Sequence, residues 1–306
     1  MTKALTTQTT RDLVQVDDLV AEWLASIDVA PDTRLTYRLG LAKFVIWLDG
    51  QPATPTMIRR WRDELRRRYS PSTANLRLAA VRSFYSWALD AGRIGHDPSL
   101  GVKGATRRGT SKVHKRDELT ASEVLAVLDI CGDDATGTRD RAMIALMAYT
   151  GIRSIEVHRA DGGDLRSKDG RLVLWVQGKG KQERDDFVVL AEGALIELRK
   201  WLAIRDGGDD APLFTSLAQR NRGKRLSRAA IRAAVKRRFK AAGVTGSKKT
   251  THSLRHSAIS AAIRGGASVP MAQSMARHSN PNTTLIYYHE VNRTQNAAED
   301  LIDYGA

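Results

Sequence analysis

From about Val16 to Asp90 the apolar residues return every three or four positions: Leu19, Trp23 and Leu24, then Leu35, Leu39, Phe44, Ile46 and Leu48, then Ile58, Trp61 and Leu65, then Leu76, Val81, Phe84 and Trp87. This spacing lines up one face of a helix and cannot serve a half-buried strand, whose apolar residues alternate. Pro31-Asp32-Thr33, Pro52 to Pro55 and Ser70-Pro71-Ser72 interrupt the pattern, which predicts four helices joined by short turns. Helical patterning returns at Leu119-Thr120-Ala121-Ser122-Glu123, where Thr120 fits an N-cap and Glu123 the third position of a capping box, and runs through Arg141 to Tyr149 before stopping at Gly151. The β-prone runs Arg171 to Gln177 and Asp185 to Leu190 flank Gly178-Lys179-Gly180-Lys181 and predict a hairpin, after which helices resume.

A chain of 306 residues has room for two modest domains, each with a core of its own. Its net charge of +15 and pI near 10.2 point to a polyanion as partner, with nucleic acid ahead of a membrane surface because the basic residues recur along the chain and do not gather on one amphipathic helix. A single cysteine, Cys131, excludes an intramolecular disulfide framework and a Cys-based zinc site and suits a reducing compartment. No apolar h-region opens the sequence, and no run approaches the ~20 apolar residues that span a bilayer, so a cytoplasmic protein is expected.

The chemistry-bearing residues crowd the second half. Thr150-Gly151-Ile152-Arg153-Ser154-Ile155-Glu156, Gly178-Lys179-Gly180, His252-Ser253-Leu254-Arg255-His256, Arg277-His278-Ser279 and Thr283-Thr284-Leu285-Ile286-Tyr287-Tyr288 together supply arginines, a lysine, histidines and a tyrosine. Cleavage of a phosphodiester requires an in-line nucleophile, cations on the nonbridging oxygens and a proton for the departing oxygen. Arginine suits the second task because its planar fork donates two hydrogen bonds and stays charged when desolvated.

In this order the boxes resemble the tyrosine recombinase or phage integrase family. The resemblance implies a mainly α, two-domain DNA clamp: an N-terminal four-helix core-binding domain of the SAM-like type and a C-terminal, mostly α catalytic domain with a small antiparallel β-sheet. The expected boundaries are a flexible N-terminus at 1–15, the core-binding domain at 16–98, a basic linker at 99–116 and the catalytic domain at 117–306. The resemblance makes Tyr287 the nucleophile of a 3′-phosphotyrosyl intermediate, Arg153 and Arg255 the phosphate clamp, and Lys179 the general acid. It makes His252 the proton acceptor, His278 a phosphate ligand and Glu156 a support behind them. Tyr288 and Lys181 are the register alternatives to Tyr287 and Lys179, while His256 reads as structural. Arg277 stands where the family usually has a glycine before the late histidine, a departure that bears on the turn.

Reaction through the tyrosine needs neither metal nor ATP, so no cofactor is expected. Double-stranded DNA is the expected partner, bound by a homo-tetramer across two sites, with a DNA-bending or directionality factor as a further candidate. Arg59, Arg60 and Arg66 on a helix, Arg107, Arg108 and Lys112 in the linker, Arg225 in a basic loop, and Arg232 and Lys236 on another helix are the candidate DNA contacts. The chain starts almost directly with the core-binding helices, which suits a Xer-like or small integrase without an arm-binding domain. Ala297, Ala298, Leu301 and Ile302 form a terminal stripe that packs either in cis or on a neighbouring protomer. Rival readings are a metal nuclease built on His252, His256 and the Asp133-Asp134, Asp185-Asp186 and Asp209-Asp210 pairs, a noncatalytic DNA-binding regulator, and a type IB topoisomerase.

Overall fold

The structure is a computed structural model that describes residues 18–105, 118–178, 183–246, 248–295 and 298–302. The chain divides into two compact units, Met1–Ser111 and Lys112–Ala306.

The first unit is built from α1 (18–26), α2 (Pro31–Leu48), α3 (Pro55–Arg68) and α4 (Pro71–Asp90). Prolines open α2, α3 and α4 because a first-turn residue needs no amide hydrogen and profits from a preset φ. Thr54 and Ser70 cap the latter two, their side chains accepting from the amides of Met57 and Thr73. The core gathers Trp23, Leu41, Phe44, Ile58, Trp61 and Leu78, with the Phe44 and Trp61 ring centroids 4.8 Å apart. A Cβ on Gly40 would sit 3.1 Å from that of Ala80, so the missing side chain lets α2 and α4 approach closely.

Apolar spacing identified these helices but not every buried face. Leu35, Leu39 and Ile46 are 56%, 54% and 76% exposed, whereas Leu41, Phe44 and Leu48 carry the packing of α2. Part of the expected linker also belongs to this unit: Val102 and Ala105 are buried in its core, and Asn75 holds Ala105 by donating to its carbonyl at 3.0 Å and accepting from its amide at 2.7 Å. Residues 106–117, with Arg107, Arg108 and Lys112, lie outside the described residues.

In the second unit α5 (Ala121–Asp129) starts with the predicted capping box, Glu123 accepting from the Thr120 amide at 3.0 Å while Thr120 accepts from the Glu123 amide at 3.2 Å. Helix α6 (Ala135–Thr150), capped by Asp134, runs through the core with Met143, Ile144, Leu146 and Met147 all fully buried. It ends on Gly151 at φ 64°, a left-handed residue that turns the chain into α7 (Ser154–Arg159). A three-stranded antiparallel sheet follows, β1 (Leu165–Lys168), β2 (Arg171–Val176) and β3 (Asp186–Val189), in the order β1-β2-β3. The predicted hairpin is β2–β3. Strand β1 escapes the apolar pattern because Leu-Arg-Ser-Lys does not alternate; the Asp169-Gly170 turn that pairs it with β2, with both φ values positive, is the stronger clue.

Helices α8 (Glu192–Ile204), α9 (Arg228–Ala241), α10 (Thr251–Arg264), α11 (Val269–Ala276) and α12 (Pro281–Gln295) complete the unit. No helix among the described residues is long and apolar enough to cross a membrane.

Phe44→Ala leaves a cavity against Trp61, Trp47 and Tyr85. Urea denaturation of the variant followed by tryptophan fluorescence is expected to show a loss of about 3–5 kcal/mol; a loss under about 1 kcal/mol would mean that this core collapses around the deletion.

Candidate active site

Glu156 lies in the first turn of α7 and is 1% exposed. Its Oε2 accepts from the backbone amide of Arg153 at 2.7 Å, closing the helix N-terminus, and its Oε1 accepts from Arg153 Nη1 at 2.9 Å. One carboxylate thus fixes both the main chain and the guanidinium of Arg153. The other Arg153 nitrogen, Nη2, reaches the carbonyls of Ala276 at 3.5 Å and Arg277 at 3.3 Å, at the far end of α11.

Arg255 arrives from α10 and is 2% exposed. Its Nη1 donates to the Gly151 carbonyl at 2.6 Å and its Nη2 to the carbonyl of Ala276, so it spans the ends of α6 and α11. Both arginines therefore meet at the Ala276 oxygen. Burial first, then the neighbouring Arg153 and Arg277 cations, pull the Arg255 pKa down to about 9 against the opposing pull of Glu156 and Tyr287. Holding this cation costs free energy, and a bound oxyanion offsets that cost.

Tyr287, on α12, is 3% exposed and bedded on Ile259, Ile263, Ala272 and Ala276. Its hydroxyl lies 2.5 Å from His256 Nδ1. With the imidazole proton on Nε2, Nδ1 accepts the phenolic proton, which is the arrangement of a general base. His278 stacks beside the tyrosine at a centroid distance of 6.3 Å, and its Nδ1 is 2.9 Å from the hydroxyl of the fully buried Thr284.

The structure thus brings together Arg153, Glu156, Arg255, His278 and Tyr287. Lys179, with its alternative Lys181, lies outside the described residues. His252 stands edge-to-face to His256 with centroids 5.0 Å apart, and His256, expected to be structural, lies against the tyrosine hydroxyl. The two histidines are four residues apart and share a helix face, a spacing that points to His256 as well as to the His252 of the motif. Arg277 is the other residue missed. It keeps the left-handed turn at φ 52° without being glycine, and its side chain donates to Glu156 Oε2 at 2.7 Å. Tyr288 is 36% exposed, in contrast to Tyr287.

Of the candidate DNA contacts, Arg59, Arg60 and Arg66 are exposed on α3, and Arg232 and Lys236 are exposed one turn apart on α9. Arg225 is differently engaged: its guanidinium bonds Asp161 and the carbonyls of His158 at 2.9 Å and Ala160 at 3.1 Å. Two carboxylates of the metal-nuclease reading have local duties, Asp134 accepting from the Gly137 amide and Asp186 from that of Phe187. Among the described residues no three His, Cys, Asp or Glu side chains are grouped to hold a metal.

The sequence profile of the phage integrase family matches residues 117–293, more than half of the chain. The chain belongs to this family. A second profile, the phage integrase N-terminal SAM-like domain, matches residues 20–92. A tyrosine recombinase of Synechocystis is 30% identical over 88% of this chain and 89% of its own length. The tyrosine recombinase XerC of Escherichia coli O157:H7 is 28% identical over 85% and 86%. The crystal structure of the XerH site-specific recombinase bound to palindromic difH substrate in a post-cleavage complex shares the fold, with a TM-score of 0.72 at 21% identity, covering 88% of this chain and 79% of that one. The chain is a tyrosine-type site-specific DNA recombinase, the activity to which the order of its motifs points.

Two outcomes check this site. Glu156→Gln removes the buried charge that pairs the buried Arg277 and the partly exposed Arg153, and urea unfolding is expected to show a loss of about 3–5 kcal/mol; a change below about 1 kcal/mol would mean the pairing is dispensable. Tungstate, a phosphate mimic, is expected to raise the melting temperature near neutral pH. Arg255 has a folded pKa below its unfolded value, so its cationic form burdens the fold fully below about 9 and is lost as pH rises beyond it. The tungstate increment should therefore shrink through that window, and an increment independent of pH would separate anion binding from Arg255.

Proposed function

We propose that the integrase cuts and rejoins DNA through Tyr287, with Arg153 and Arg255 as the phosphate clamp. The observation that carries this reading is the convergence of the two guanidinium groups on the Ala276 carbonyl while the buried Tyr287 hydroxyl is bonded to His256. Tyr287 Oη attacks phosphorus and gives its proton to His256. The P–O5′ bond breaks, a 3′-phosphotyrosyl linkage forms, and Lys179 protonates the departing 5′ oxygen. Preformed cations aimed at the phosphoryl oxygens stabilise the added negative charge without reorganising during the step. His278, anchored by Thr284, donates to a phosphoryl oxygen, and His252 supports His256 from the adjacent turn.

Because the phosphodiester energy is kept in the covalent bond, attack by another 5′-hydroxyl reverses the chemistry without ATP or metal. Two such exchanges pass through a Holliday junction and lead to integration, excision or resolution. Exchange between two duplexes cuts four strands, one tyrosine for each, which calls for a homo-tetramer across two sites with a dimer on each. The core-binding domain at 16–98, the basic linker at 99–116 and the catalytic domain at 117–306 would close around the duplex as a clamp, with Arg59, Arg60, Arg66, Arg232 and Lys236 on its phosphates or groove edges. Accessory DNA-bending or directionality factors and a cytoplasmic setting belong to the same reading.

Covalent trapping in EDTA tests it: nicked suicide duplexes tiled from DNA beside the gene are incubated with wild type, Tyr287→Phe and Tyr288→Phe, and adducts are resolved on a denaturing gel. An adduct lost in Tyr287→Phe and kept in Tyr288→Phe is expected. His256→Ala should form it about 10²–10⁴-fold more slowly. Tight binding without any adduct would favour a noncatalytic DNA-binding regulator, and adduct formation that depends on a divalent ion would favour a metal nuclease.

A further inference from the structure

Arg277 occupies a backbone position that an L side chain seldom takes. It follows α11 at φ 52° and ψ 50°, in the left-handed region where a helix usually ends on glycine. A non-glycine residue persists there when the surrounding structure over-determines it, and such residues concentrate at functional sites. The side chain shows what holds this one. It is 5% exposed, its Nη1 donates to the Met275 carbonyl at 3.0 Å and its Nη2 to Glu156 Oε2 at 2.7 Å.

Glu156 is the group that aims Arg153, so Arg277 grips the second oxygen of the carboxylate whose first oxygen holds the Arg153 guanidinium. Its own carbonyl accepts from Arg153 Nη2 at 3.3 Å, and the preceding carbonyl accepts from Arg255. One residue thus touches Arg153 from both its side chain's partner and its main chain. Its Nε is buried without a hydrogen-bond partner and lies 4.0 Å from Asp186 Oδ2 at the start of β3, the strand that closes the hairpin after Lys179.

We infer that Arg277 is a positioning residue for strand transfer: by fixing Glu156 and the Ala276–Arg277 carbonyls, it sets where Arg153 and Arg255 present their guanidinium groups to the scissile phosphate. The inference rests on the proposed roles of Arg153 and Arg255. Nearness of the Arg277 charge to Arg255, which contributes to the lowered pKa of the latter, accords with membership of this cluster and not of the outer surface. A plain structural clip between α11 and α7 is the competing account, and it predicts effects on stability instead of on rate.

The test uses the full-length chain as wild type, Arg277→Gly and Arg277→Lys, with the duplex that yields the adduct in EDTA. Glycine removes the side chain and relaxes the left-handed backbone, so Arg277→Gly separates positioning from strain. Expected are a melting temperature lowered by loss of the buried pair with Glu156 and partly restored by the relaxed backbone, a half-saturating DNA concentration within about threefold, and an adduct rate, measured below that melting temperature at saturating DNA, reduced by at least roughly tenfold, equivalent to about 1.4 kcal/mol in the barrier. Arg277→Lys keeps the charge but reaches only one of the two acceptors, and its rate should fall between the others. Should Arg277→Gly unfold early, the lysine variant decides alone: a rate below wild type at saturating DNA supports the inference. A wild-type rate in either folded variant, or a loss confined to DNA affinity, overturns it. A wild type that forms no adduct overturns the recombinase roles and this inference together, whereas an active wild type matched by Arg277→Gly overturns the inference alone.

Discussion

The buried Glu156 carboxylate is the constraint around which the catalytic unit is arranged. A carboxylate without solvent is tolerated only when its oxygens are fully engaged, and here they accept from one amide and two guanidinium groups. Meeting that demand requires the start of α7, the end of α11 and the Arg153 side chain to arrive at one point. Arg255 then ties the same point to the end of α6 through Gly151. Three guanidinium groups face one carboxylate, which leaves the cluster with an excess of positive charge in a region of low solvent access. Such an excess raises the free energy of the protein by itself and lowers that of a complex with an oxyanion, so stability and function pull in opposite directions at this locus.

Tyr287, the proposed nucleophile, is placed by different forces. Tyr287 is positioned by apolar packing against α10 and α11 and oriented at its hydroxyl by His256, with His278 fixed alongside through Thr284. Hydrophobic contact alone cannot aim a hydroxyl, because it has no direction. The imidazole supplies the direction, and with its proton on Nε2 the same Nδ1 atom accepts the phenolic proton. Placing Arg255 and His256 consecutively on α10 sends them to different tasks, one spanning two helix ends and the other meeting the tyrosine of α12.

Local rules made much of this readable in advance. Proline at the first turn, the Thr120 and Glu123 capping box and the β2–β3 hairpin depend on residues within a few positions of one another, and the structure contains each of them. What the sequence hid depends on distant partners. The outward Leu35, Leu39 and Ile46 look like a buried stripe until α4 and α3 choose the other face of α2, and Val102 and Ala105 look like linker until Asn75 captures them. At the site, the motif residues Arg153, Glu156, Arg255, His278 and Tyr287 do assemble. The contacts of His256 and Arg277, by contrast, are made to partners 31 and 121 residues away, which local spacing does not name.

The charge of the chain illustrates the same division between composition and arrangement. Counting 49 lysines and arginines suggests a wide DNA-binding surface, yet several of the arginines are turned inward onto main-chain oxygens. Arg205 holds the carbonyls of Ala211, Pro212, Gly207 and Gly208, Arg225 those of His158 and Ala160, and Arg139 that of Thr215 while pairing with the buried Asp140. A guanidinium can do this because its five donors lie in a rigid plane and its weak hydration makes burial less costly than for an ammonium. The property that lets arginine bridge loop carbonyls inside the protein is the one on which the proposed phosphate clamp of Arg153 and Arg255 relies. The distinction between the two uses lies in what surrounds the fork: Arg225 meets the nearby carboxylate of Asp161, whereas Arg255 meets two further cations, and only the second environment is improved by the arrival of an anion.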